Sequence, residues 1–225
     1  MVLNLPPQLP DNPCGFGFKT TWWALPTNDT NAVIATLQLQ DAQPANWQTG
    51  IKYVYENDTS QQVVFVTSPV YGWTLITGLY LINQPDEIIQ PLIQLSQIFG
   101  VALVFSTHRV VEYHLWAKAV SGSLVRGYGY SGESGETFWD KGAMTCEEKD
   151  LNFAFFDERS PEAEDDSYWE RDDLNYPDEM CVMNIAHAWS VSPLDLDTYQ
   201  PKEQLLGVLG SHTKLLTRNT NDLGC

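Results

Sequence analysis

Between Val101 and Gly142, strand-forming runs alternate with short turns. Val101–Thr107 and His108–Ala119 are rich in β-branched and aromatic residues. Ser121-Gly-Ser123 leads into Leu124–Tyr130, and Ser131-Gly-Glu-Ser-Gly-Glu136 closes the stretch. Such side chains fit a pleated, half-buried surface, while glycine and serine supply tight connections. The pattern predicts a three-stranded antiparallel meander over residues 101–130. Along its second strand Val111, Tyr113, Leu115, Ala117 and Ala119 share one face, which reads as core. The other face carries His108, Glu112, His114, Trp116 and Lys118, with Arg126 placed to pair across strands with Glu112.

Other segments follow the same logic. Phe18–Leu25 reads as a strand, ended by Pro26. Asn28-Asp29-Thr30 caps a helix over Asn31–Leu39 with Val33, Ile34 and Leu37 on its buried stripe. Ala45–Gly50 predicts a helical turn stopped at Gly50, and Ile51–Tyr55 alternates like a strand. Val63–Val66, inside the run Gln61–Thr67, reads as a central strand joined through Ser68–Gly72 to a partner over Trp73–Ile82. Ile88, Leu92, Leu95 and Phe99 set a helical stripe over Asp86–Phe99, with Pro91 where regular helix begins and Gly100 as its stop. Thr145-Cys-Glu-Glu148 fits a capping box, Pro177-Asp178 opens a helix reaching Ser190, and Ser192-Pro193 caps a short successor. Residues 1–17, rich in proline, form an irregular arm. The sum is a single α+β domain, residues 1–225, with an antiparallel sheet of five to seven strands and helices packed mainly on one face.

Charge narrows the functional classes. The 225 residues carry a net charge of −17 and a pI near 4.3, a field that repels phosphate backbones and argues against nucleic-acid reading. The acid is concentrated: eleven carboxylates against two arginines between Asp157 and Glu179 supply nine of the seventeen excess negative charges. Cys14, Cys146, Cys181 and Cys225 show no paired spacing, and neither a signal-type run nor a membrane span is present. A reduced, cytoplasmic setting follows, in which the sequons at Asn28 and Asn57 are silent.

No assembled catalytic motif emerges. His108 and His114, six residues apart on one strand, would stand about 20 Å from each other. With no H-E-x-x-H or paired Cys/His spacing, no metal or cofactor is expected. Gly132-Glu-Ser-Gly135 lacks the nucleophile-elbow spacing. Gly127 and Gly129 lack a following helix, so close packing by a ring such as Trp116 or Trp73 explains them better than a phosphate loop. The acids between Asp157 and Glu179 do not follow a calcium loop, and the helix pair around Ser192 sits amid too much acid to dock DNA.

Two readings of function remain. Within the loop over residues 157–177, Asp165, Asp166, Glu170, Asp172 and Asp173 interleave with Tyr168, Trp169 and Tyr176, although inert solvating tracts have little use for aromatic anchors. With His108, His114, Trp116, Arg126 and Tyr128 on the meander, these residues predict a non-enzymatic surface that binds a basic protein. Bacterial immunity proteins, which neutralise basic toxins such as nucleases, have this profile by analogy. The alternative is an enzyme or binder of a carbohydrate or other small polar ligand, using Glu112, Glu133 and Glu136 beside Trp116, Tyr128 and Tyr130.

Overall fold

The computed structural model describes residues 5–56, 62–78, 81 and 85–212. Residues 1–4 of the arm, the Asn57 sequon, Ile82 and Cys225 lie outside the described residues. The predicted α+β class holds, with one antiparallel sheet of nine strands rather than five to seven. The strands are β1 Lys19–Leu25, β2 Gln40–Ala45, β3 Val63–Val66, β4 Thr74–Thr77, β5 Val101–His108, β6 Tyr113–Val120, β7 Ser123–Ser131, β8 Glu136–Lys141 and β9 Gly207–Ser211. Their order across the sheet is β2-β9-β3-β4-β1-β5-β6-β7-β8. The helices are α1 Thr30–Leu37, α2 Trp47–Glu56, α3 Pro85–Phe99, α4 Cys146–Asp150 and α5 Glu179–Trp189.

Helices cover both faces, not mainly one. Trp22, Phe65, Leu103, Phe105 and Trp116 meet Trp47 and Val54 of α2 and Val182, Ile185 and Trp189 of α5. On the opposite face Trp23, Val64, Val66, Val104 and Leu115 meet Val33 and Leu37 of α1 and Ile88, Leu92 and Leu95 of α3. The strand sequences explain why. Trp22–Leu25, Val64–Val66 and Ala102–Phe105 are apolar at consecutive positions, so neither face of the central strands can be left to water.

The meander is present and extends by one strand. Its turn after β5 lies at residues 109–112, which breaks the run read as His108–Ala119. His108 pairs with Tyr113 and Thr107 with His114, so the two histidines occupy opposite faces of neighbouring strands. Gly127 and Gly129 make room for rings of β8, not Trp116 or Trp73. A Cβ at Gly127 would lie 2.3 Å from Trp139, and one at Gly129 would lie 2.5 Å from Phe138.

Two other expectations change. Ile51–Tyr55 is helix, because Trp47, Ile51 and Val54 bury one face of α2. Gly50 lies inside that helix, where a Cβ would come within 2.4 Å of the Phe65 ring. α3 starts at Pro85, ahead of Pro91. The arm beyond residue 5 is irregular but fastened: the Asp11 carboxylate accepts the N–H groups of Trp47 and Gln48 at 2.7 and 3.0 Å, capping α2.

Candidate functional site

Residues 151–176 leave α4, cross the Trp116 face of the meander and return to α5. Phe155 and Asn175 form a parallel bridge, flanked by Phe156 N–H to Asn175 O at 3.1 Å and Asn175 N–H to Ala154 O at 2.9 Å. That neck closes the acidic segment into a lobe. Two 3-10 turns, Pro161–Glu164 and Asp166–Glu170, order it, with Ser160 and Asp165 as their caps.

Aromatic packing gives the lobe its interior. Phe156 is buried and touches three rings: Tyr168 edge-on at 5.6 Å, Trp169 stacked at 5.5 Å and Tyr176 tilted at 5.0 Å. The Tyr168 hydroxyl accepts the Asp157 N–H at 2.7 Å, so this ring is a structural pin rather than a surface anchor. Trp169 keeps 39% of its surface open and Tyr176 54%. Trp169 is nonetheless held in place, since its indole N–H donates to the Ala163 carbonyl at 3.0 Å.

The charges around these rings fall into two sets. Arg159 forks onto Asp157 at 2.7 and 3.0 Å and reaches Asp140 of β8 at 3.5 Å, while the Glu158 carboxylate accepts the Thr137 N–H, fastening the lobe to the sheet edge. Arg171 forks onto Asp173 at 2.8 and 2.6 Å and lies over the Tyr168 ring. These guanidinium groups hold the Asp157 and Asp173 carboxyls below the usual range, and hydrogen bonds from Ser167 do the same for Asp165. The carboxylates of Glu164, Asp166, Glu170 and Asp172, by contrast, are exposed and make no hydrogen bond or ion pair with a described residue.

The meander residues are placed differently from expectation. Trp116, Tyr128, His114 and Arg126 are all buried, so they cannot line a docking face. Trp116 stacks on Tyr128 at 4.6 Å beneath Phe153 and Phe155, and its N–H donates to Glu148 at 2.9 Å. Arg126 stands opposite Lys118, not Glu112. It donates from Nε to both Glu148 oxygens at 2.9 and 3.1 Å and forms an ion pair with Asp140. Glu148, almost wholly buried, is expected from the sequence only as the capping-box glutamate. It fills that role too, accepting the Thr145 N–H at 2.7 Å. The cap fixes the carboxylate where Arg126 and Trp116 need it, a second use that Thr-Cys-Glu-Glu does not reveal.

His108 and His114 are core groups as well. Burial depresses His108 to about 4, with Lys19 and His114 adding to the effect. Burial also lowers His114, outweighing the opposing pull of Glu179, Asp178 and Glu112. His114 Nδ1 lies 3.1 Å from the Thr107 hydroxyl. No cluster of metal-ligating groups occurs among the described residues.

Glu112, Glu133 and Glu136 are exposed at the turn end of the meander. The Trp116 and Tyr128 rings that would stack on a sugar are covered, which removes the aromatic platform from the carbohydrate reading. No described helix is long and apolar enough to cross a membrane. No family model, no curated protein and no solved structure matches this chain.

Proposed function

We propose that this protein is a non-enzymatic binding protein of the immunity or inhibitor type, which captures a basic protein partner through the acidic lobe. One observation carries the reading: Trp169 and Tyr176 are exposed on a lobe whose neck, interior and attachment to β8 are all bonded, within a rim of carboxylates that pair with no described residue. Fixed rings lose little entropy on contact, and aromatic residues supply much of the residence energy of protein interfaces. The carboxylate rim speeds encounter with a positive surface and penalises acidic competitors and nucleic acid. His114, Trp116, Arg126 and Tyr128 serve this reading indirectly, as the packed base on which the lobe stands, while His108 lies on the opposite face of the sheet.

Capture from the native host with the intact chain, compared with its Trp169→Ala/Tyr176→Ala variant, tests the proposal. The expected partner is basic, is released as salt rises from about 0.05 M to about 0.5 M, and is missing from the variant's eluate. A partner retained equally by both proteins, or insensitive to salt, overturns it.

A further inference from the structure

We infer that the lobe selects arginine rather than lysine side chains, Trp169 being the platform for a partner guanidinium. This rests on the docking reading above and specifies its chemistry. The lobe and its base already hold three arginines of this chain, each bonded to a carboxylate. Arg171 forks onto Asp173 and Arg159 onto Asp157, while Arg126 shares its Nε–H between both oxygens of Glu148. Two of them also lie over a tyrosine ring, Arg171 over Tyr168 at 5.9 Å and Arg126 over Tyr128 at 5.5 Å. At Arg171 and Arg126 a guanidinium is thus met by a ring together with an acid.

Trp169 offers that pairing too, and among the described residues no cation of this chain lies over it. Phe156 stacks against the indole and Ala163 fixes its N–H, yet 39% of its surface faces solvent. The neighbouring Glu170, and Asp166 and Asp172 three residues to either side of Trp169, have no described partner. A guanidinium is planar and weakly hydrated, so it can lie on an indole while its N–H fork meets a carboxylate. An ammonium is a strongly hydrated point charge and gains less from the ring.

The test uses the full chain with tetra-arginine and tetra-lysine peptides of equal length, measured by calorimetry and by tryptophan fluorescence. The expected result is roughly tenfold tighter binding of the arginine peptide, equivalent to about 1.4 kcal/mol. Trp169→Ala should lower arginine-peptide affinity to the lysine level, and Trp169→Phe, which keeps a ring against Phe156, should retain part of the preference. Asp172→Asn should weaken both peptides. Equal affinity of the two peptides overturns arginine selection while leaving the basic-partner reading intact. A preference that survives Trp169→Ala overturns the assignment to this ring. Binding of neither peptide overturns both proposals.

Discussion

Arg126 and Arg171 each meet a carboxylate and a tyrosine ring, in opposite settings. Arg126 is buried with Glu148 and Trp116 under the 151–156 segment, whereas Arg171 is exposed with Asp173 on the lobe. Away from water, an unpaired charge is intolerable, so every member of the inner set depends on the others. In water the outer pair is screened and replaceable, and the acids beside it stay available. Similar chemistry therefore acts as architecture below and, above, leaves a charged surface open to solvent.

Glu148→Ala is the most severe way to break this contrast. It leaves the buried Arg126 with only the partly exposed Asp140 as acid partner and strands the Trp116 N–H, and unfolding in urea should show a loss of about 3–5 kcal/mol. The double variant Arg126→Met/Glu148→Leu should recover much of that loss, because no buried charge then remains. A Glu148→Ala protein as stable as the parent would show that the pair is not buried in solution. Next in size, Trp169→Ala should cost about 1 kcal/mol of stability or less while lowering affinity for an arginine peptide about tenfold. Equal effects on folding and binding would erase the distinction between inner and outer sets.

The buried histidines sharpen it through pH. An unfolded histidine titrates near 6.5, while His108 in the fold titrates at about 4. Between these values the unfolded chain binds protons that the fold rejects, so this contribution falls as pH drops from 7 towards 4. His114 acts in the same direction. Acid also relieves repulsion within a chain of net charge −17, an opposing trend, so the informative quantity is a difference. His108→Gln should lose less stability than the parent between pH 7 and pH 5 in paired urea titrations. The smallest effect belongs to Asp173→Asn, barely measurable in low-salt urea titrations and vanishing in high salt, because both partners are open to solvent.

Legibility followed the range of the interactions. The β5–β7 meander, the capping box at Thr145 and the Asp178 cap of α5 depend on residues close in sequence, and each was readable. β2 and β9 were not, since Gln40-Asp-Ala-Gln-Pro-Ala has no alternating apolar pattern and becomes a strand only by pairing with residues 207–211. Gly50 misled because a glycine suited to ending a helix is equally suited to admitting the Phe65 ring against its middle. The turn at residues 109–112 misled more seriously. With Glu112 at φ 47° and no glycine to announce the break, His108 moved to the face opposite His114.

By itself the sequence determined the class of elements, the concentration of acid between Asp157 and Glu179, and the presence of aromatic residues among those acids. These are properties of composition and of neighbours a few residues apart. Tertiary structure decided which rings reach solvent: Trp169 and Tyr176 do, whereas Tyr168, Trp116 and Tyr128 do not. It also gave Arg126 its partner in Glu148, 22 residues away. Burial and charge neutralisation depend on what packs against a side chain, and those neighbours arrive only when distant segments of the chain meet.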